Sequence, residues 1–342
     1  MLMKEMCVQD AVGQNLCHDV PRIVRGQKLD PLFRRGHVVT REDVQPLLDS
    51  GNANVFIWEP SPGMLHENEA AAMLYGICRS EYMHAAEIEE GMVQLIADTD
   101  GVLLVERDRL NAINALGEIV VASRHGKTPV RKGDVIAGIR VVPLAIREDK
   151  IDLARGAALG GPVFRICPFR HRRIGIMTTG SEVFRGRAED QFTPVVEKKL
   201  AEYDTEVVLH KVTDDNISIQ IHAMQQMLEK HVDLIICTGG MSVSADDRTP
   251  HSIRVVSDRV VAYGVPAIPG AMFMLAYTGE DIPIVGLPSC VMFSNRTVFD
   301  LVLPLLLAGV PVTEQDLMLM GEGGMCLNCK TCVFPNCGFG KH

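Results

Sequence analysis

Two textures of hydrophobic patterning divide the chain. From Arg173 onward, uninterrupted apolar runs alternate with segments of helical period: IGIMT, a helix near 194–203, EVVLHKV, a helix near 216–230, then DLIICT. In the second helical segment Ile217, Ile221, Met224 and Leu228 fall at i, i+4, i+7 and i+11, one face of a helix with about 3.6 residues per turn. The alternation continues through a helix after Thr249-Pro250, a strand over 282–287 and a helix over 294–308. Apolar runs without polar alternation, each followed by a helix, predict an α/β domain: a parallel sheet with helices on both faces.

Upstream the pattern is shorter and more broken. AVGQNLCHDV, FRRGHVVTREDVQPLLDSG and NVFIWE predict short strands around one helix at 41–50, capped by the Thr40 hydroxyl and ended by Gly51. EPSPG at 59–63 breaks regular structure, and a helix is expected over 64–83. From Gly91 the runs MVQLIA, VLLVE, EIVVAS and DVIAGIRVVPLAI are separated by Asp100-Gly101, His125-Gly126 and Gly133-Asp134, which predicts a β-rich module. The expected organisation is a mixed N-terminal unit (1–60), an inserted β-rich module (61–170), the α/β domain (171–310) and a cysteine-rich metal-binding tail (311–342). His66-Glu67 has no second spaced histidine and reads as structural. Arg170–Arg173 is either a solvated turn or an anion-steering patch.

Composition narrows the function classes. The formal net charge of −9 argues against a general nucleic-acid or anionic-membrane binder. Leu301–Val312 is interrupted by Pro304 and Pro311 and falls short of the roughly 20 residues a membrane span needs. The opening MLMKEMCVQD lacks the apolar run of a secretory signal, so a cytoplasmic protein with reduced or metal-bound cysteines is expected. No nucleophile-elbow, Walker or G-x-G-x-x-G pattern is present.

Three strand-to-helix loops carry candidate chemistry: Thr178-Thr179-Gly180-Ser181-Glu182, Thr238-Gly239-Gly240-Met241-Ser242-Val243-Ser244, and Gly286-Leu287-Pro288-Ser289-Cys290. Glycines let backbone approach a ligand, hydroxyls bond phosphate oxygens, and the following helix N-terminus favours anions. Such turns also need Gly and Ser for purely structural reasons. Acidic residues accompany them: Asp190, Asp214-Asp215 and Asp246-Asp247. Carboxylates near phosphates can hold Mg²⁺, whereas Asp at a helix start also serves as a cap.

The segment 171–310 resembles the molybdopterin-binding domain of the molybdopterin adenylyltransferases and molybdotransferases. The resemblance rests on MTTGSEV followed by Asp190, on TGGMSVSADDRTP, and on VGLPSCV ahead of the helix ending PLLLAG. The first fifty-eight residues are also similar to the N-terminal part of the molybdotransferases, with about a hundred residues intervening here. The resemblance implies that adenylylated molybdopterin and molybdate are substrates, and that Mg²⁺-assisted cleavage of the adenylyl group accompanies placing molybdenum on the dithiolene. It further implies that Thr179, Gly180, Ser181, Gly239, Gly240, Ser242, Gly286, Pro288 and Ser289 bind the cofactor. Glu182, Asp190, Asp246 and Asp247 become the catalytic acids, and Asp214, Asp215 and Asp247 the Mg²⁺ ligands. A homodimer serving molybdoenzyme apoproteins is implied as well.

Departures stand beside these implications. Ala245 replaces an acid of the transferase pattern. Ser289-Cys290-Val291 replaces Gly-Asn-Pro, placing in the loop a thiol that reads as a molybdenum ligand or a small buried residue. A non-catalytic carrier, chaperone or redox-responsive regulator is the alternative reading, and nucleotide-pyrophosphatase chemistry, found in related domains, is a third.

Finally, Cys326, Cys329, Cys332 and Cys337 form C-x2-C-x2-C-x4-C on a segment too short to build its own core. The spacing approaches the C-x2-C-x2-C-x3-C-P run of bacterial ferredoxins, suggesting an iron–sulfur cluster, and four thiolates also suit tetrahedral Zn²⁺.

Overall fold

The computed structural model describes residues 3–21, 23–24, 27–28, 30–58, 61–241 and 247–341. The chain divides into two compact units. One comprises Met1–Thr99, Leu104–Arg124 and Arg131–Ile166; the other comprises Asp100–Leu103, His125–Val130 and Cys167–His342.

In the first unit, strands Met3–Cys7 and Asn54–Trp58 pair antiparallel, and Val8, Leu16, Leu47 and Ile57 are among the residues of a small core. The helix expected at 41–50 spans Val44–Asp49. Thr40 does not cap it. The Asp43 carboxylate accepts from the Thr40 amide and hydroxyl at 2.8 Å each and lies 2.7 Å from His37 Nε2, so the hydroxyl donates to a charged acceptor instead of receiving a helix amide.

The inserted segment holds three of the expected strands in a four-stranded antiparallel sheet ordered 83–85, 92–97, 135–141 and 119–123, joined by 83–85, which was not expected, while VLLVE pairs elsewhere, with 128–130. It also holds two helices that the pattern did not predict, Arg107–Asn114 and Glu148–Ala157. The helix expected from 64 starts at Glu67, because Met64–His66 pairs as a strand with Ala145–Arg147. His66 caps that helix. Its Nδ1 accepts from the Asn68 amide at 3.2 Å, which leaves Nε2–H to donate to Cys17 O at 2.9 Å. Burial lowers its pKa, as suits a neutral structural imidazole.

Glu67 beside it is 4% exposed, and burial pushes its carboxyl up to about 7 against the pull of Arg140. A carboxyl raised in the folded state stabilises fully below its ordinary value and loses that contribution as pH rises through about 7. Glu67→Gln should therefore flatten the fall in stability between pH 4.5 and 7.5 by an amount on the order of 3 kcal/mol, read from urea midpoints across that range.

The second unit is organised by a six-stranded sheet. Its strands are β1 (Arg172–Thr179), β2 (Thr205–Thr213), β3 (Leu234–Thr238), β4 (Arg259–Tyr263), β5 (Met274–Tyr277) and β6 (Pro283–Leu287). The spatial order is β2-β1-β3-β6-β5-β4, the first four mutually parallel and the last two antiparallel.

Helices α1 (Ser181–Phe184), α2 (Phe192–Leu200), α3 (Ile217–Glu229), α4 (Thr249–Val256) and α5 (Val298–Leu307) follow the strands. Met224 and Met227 of α3 and Ile253 of α4 share a core cluster with Met177, Ile235, Cys237 and Ile284 on one face of the sheet. Alternation sends Thr178 to the opposite face, where it meets Thr193 of α2 at 3.0 Å. Lys199 of α2 reaches Asp300 of α5, so helices cover both faces as the pattern implied.

The basic cluster entering β1 acts structurally: Arg172 donates to Leu307 O at the end of α5, and Arg173 to Lys230 O and His231 O beyond α3, where cations complement helix C-termini. The antiparallel strand pair of 101–103 with 128–130 also belongs to this unit, and α5 packs against its 128–130 strand. Among the described residues, no helix is long and apolar enough to cross a membrane.

Candidate functional site at the carboxyl edge of the sheet

The parallel register aligns the candidate loops. Thr179 pairs with Thr213, Thr178 with Thr238, and Thr238 with Leu287, so residues 180–182, 214–215, 239–241 and 288–290 leave one sheet edge side by side. This is the edge at which open α/β sheets bind ligands.

The loop after β1 faces the loop after β2. Ser181 Oγ lies 2.6 Å from Asp214 Oδ1 and 2.7 Å from Asp215 Oδ2, so its single proton serves two carboxylates. The Ser181 amide donates to Asp215 Oδ2 at 3.1 Å, and the Gly180 amide to Thr213 O at 3.2 Å. Both amides are spent internally, so this loop presents carboxylates and a hydroxyl instead of an amide cradle. The Ser181 hydrogen bond, aided by the Asp215 amide and by Arg185, holds Asp214 below the usual carboxylate range. Neither acid caps α3. That role falls to Asn216, whose side chain accepts from the Ser218 and Ile219 amides. One residue earlier than the acid pair, Thr213 Oγ1 is buried with no hydrogen-bond partner.

Asp190 is committed elsewhere. It accepts from the Phe192 amide (2.9 Å), the Thr193 amide (3.0 Å) and Thr193 Oγ1 (2.6 Å) at the start of α2. Burial works to raise its pKa, but these bonds outweigh it and hold the carboxyl below its ordinary value. His210, which sequence reasoning missed, completes this knot: Nε2 lies 3.0 Å from Thr193 Oγ1 and 3.4 Å from Asp190 Oδ2. Its only sequence signal is a histidine inside the apolar run EVVLHKV.

Gly239 and Gly240 form a tight turn at φ +81° and +56°. A Cβ on Gly239 would lie 2.2 Å from Thr179 O, and one on Gly240 would lie 2.8 Å from Thr249 Oγ1. Thr179 is buried, its hydroxyl bonded to Thr238 O and Thr249 Oγ1 at 3.2 Å each, so it braces the two loops from beneath. Tyr263 ties down the next residue by donating to Met241 O. Gly239→Ala should destabilise the unit by at least about 2 kcal/mol, through positive φ and backbone overlap together, measured as a lowered urea midpoint.

Gly286 is buried under Met241, while Pro288 is half-buried and Ser289 exposed at the mouth of the edge. Burial raises the Cys290 thiol, with Lys199 opposing. Glu182 is exposed on α1, and Asp247 is half-buried before α4, whose N-cap is Arg248. Ser242 and Asp246 lie outside the described residues. Among the described residues, no three His, Cys, Asp or Glu side chains gather tightly enough to hold a single metal ion, at this edge or among the tail cysteines.

The architecture and its paired, glycine-turned loops define a doubly wound α/β domain with its functional edge at the strand C-termini. Residues 175–308 match the family described as a probable molybdopterin binding domain. Residues 5–59 match a family described as a domain of unknown function.

The molybdopterin molybdenumtransferase of Staphylococcus epidermidis is 25% identical over 115 residues, 32% of this chain and 27% of that protein. The molybdopterin adenylyltransferase of Pyrococcus furiosus is 26% identical over 92 residues, 27% of this chain and 54% of that protein. The molybdopterin biosynthesis enzyme MoaB of Thermus thermophilus superposes with a TM-score of 0.36 at 24% identity, covering 41% of this chain and 98% of that one. The chain thus spans about a quarter to a half of the length of these two curated relatives.

Proposed function

We propose that the carboxyl edge binds adenylylated molybdopterin and, with Mg²⁺, releases AMP as molybdenum from molybdate is placed on the dithiolene. The observation that carries this reading is the pair Asp214 and Asp215 converging on Ser181 beside the Gly239-Gly240 turn. Two carboxylates at the sheet edge repel an anion, and a divalent cation between them reverses the sign. Mg²⁺ uses one or two carboxylates and fills its shell with waters and phosphate oxygens, so this donor set fits it.

Asp214 and Asp215 would hold the ion, and Asp247, before α4, would face the phosphates through its water shell. The bound ion would supply neutralisation of the phosphates and easier departure of AMP. Gly239 and Gly240 let backbone close on the phosphates, and Ser181 keeps both carboxylates aimed at one point. Exposed Ser289 would contact the pterin at the mouth. The same reading has a homodimer pass the finished cofactor to a molybdoenzyme apoprotein.

The test is AMP release from adenylylated molybdopterin with Mg²⁺, with and without molybdate, alongside assay of the active cofactor. Release that depends on molybdate supports insertion. Tight pterin binding without AMP gives instead the carrier or regulator reading, which the commitment of Asp190 to capping α2 favours. Faster cleavage of ADP-ribose would give the pyrophosphatase reading.

A further inference from the structure

The second unit contains a cavity of about 260 Å³ lined by all four tail cysteines, Cys326, Cys329, Cys332 and Cys337, and by Arg296 and Phe334. Both ends of the loop that carries the cysteines are fastened to the body of the unit. At one end Ile268 N donates to Gly324 O at 2.7 Å and Cys326 N to Ile268 O at 2.9 Å; at the other Gly340 N donates to Gly323 O at 2.9 Å, beside buried Phe339. Between these clasps, residues 326–337 form neither helix nor strand, and Leu327 and Val333 are 80% and 51% exposed. A loop with fastened ends, outward apolar side chains and four thiols around a hollow has ligands where a core would be.

The size of the cavity and the spacing of the cysteines select the occupant. A single tetrahedral ion with metal–sulfur bonds of about 2.3 Å needs its sulfurs roughly 3.8 Å apart. All four cysteines line a cavity far larger than one ion, at C-x2-C-x2-C-x4-C spacing. A cluster of several iron atoms takes four thiolates from one short cysteine-rich run. Arg296 supplies a cation at the wall, held there by Glu202 and Asp300 at 3.0 Å each and lying 5.0 Å from the Phe334 ring. A positive group and an apolar ring suit an anionic iron–sulfide core shielded from water.

We propose that Cys326, Cys329, Cys332 and Cys337 bind an iron–sulfur cluster in this cavity. It is a site separate from the carboxyl edge and independent of the reaction proposed there. The full chain, purified without oxygen and reconstituted with ferrous iron and sulfide, should retain about four irons and four sulfides per chain. It should also show broad visible charge-transfer absorption that bleaches on reduction.

Cys329 and Cys332 are exposed, so Cys329→Ser and Cys332→Ser should lose most of that absorption while far-ultraviolet circular dichroism stays unchanged. Arg296→Gln should shift the midpoint of bleaching to a more negative potential and leave the iron content in place. A colourless protein with one zinc per chain would overturn the proposal. So would failure to retain iron, or iron retention unaffected by both cysteine substitutions.

Discussion

Asp300→Ala should lower stability by about 3–5 kcal/mol, making it the most damaging single substitution considered, with the loss confined to the second unit. Asp300 is 4% exposed and accepts from Lys199 Nζ at 2.8 and 2.9 Å, from Arg296 Nη1 at 3.0 Å, and from the Thr297 amide at 2.7 Å. Its removal strands an ammonium that is itself almost entirely buried and strips the capping box from α5. For a unit of this size, thermal unfolding should fall by about 10 °C or more.

Lys199→Met alone should also be destabilising, because it leaves the Asp300 carboxylate with one fewer partner. The double variant Lys199→Met/Asp300→Leu should recover much of the loss, since apolar replacement of a buried pair is often near neutral. Differential scanning calorimetry of Lys199→Met, Asp300→Leu and the double variant measures the coupling. Strictly additive losses would show that the pair does not act as a unit.

Asp214→Asn/Asp215→Asn should reduce Mg²⁺-dependent AMP release by about a hundredfold or more. That figure corresponds to the loss of several kcal/mol of charge stabilisation at roughly 1.36 kcal/mol per tenfold change. The fold should survive, because Asn retains the acceptor for Ser181 and α3 keeps its own cap at Asn216. Asp247→Asn, on the far side of the Gly239-Gly240 turn, provides the comparison for the α4 side of the site.

Since hydrogen bonding depresses the Asp214 pKa, its charge persists as pH falls and is lost only below the usual carboxylate range. Mn²⁺ binding followed by electron paramagnetic resonance should accordingly be nearly constant from pH 8 to pH 5. Marked weakening over that interval would remove Asp214 as a ligand.

The parallel sheet was readable because its strands are continuous apolar runs and its helices are amphipathic, although the face α3 buries is centred on Gln220, Ala223, Met224 and Met227, and Ile217, Ile221 and Leu228 are half-buried at its margin. The loops were readable for a related reason: glycine and hydroxyl residues directly after an apolar run mark strand C-termini. What an acid does after such a run is not local information. Asp190 and Asp215 look alike in sequence, yet one caps α2 and the other shares Ser181 with its neighbour, a difference set by which strand lies beside which. The helices Arg107–Asn114 and Glu148–Ala157 escaped notice because their sequences, RDRLNAIN and EDKIDLARGA, bury only Ile113 in the first and Ile151 and Ala154 in the second. The Lys199–Asp300 pair joins residues a hundred positions apart, beyond the reach of any spacing rule.

The second unit is assembled from three stretches of chain, two of them, Asp100–Leu103 and His125–Val130, synthesised before the first unit is complete. Residues 175–308, the portion that matches the family, are therefore only part of this compact unit. An expression fragment begun at Cys167 would lack the strand pair against which α5 packs and the Lys127 partner of Asp316, leaving an apolar helix face in water. During translation those early strands must wait for α5, which begins only at Val298, so they stay without their packing partner while most of the second unit is made.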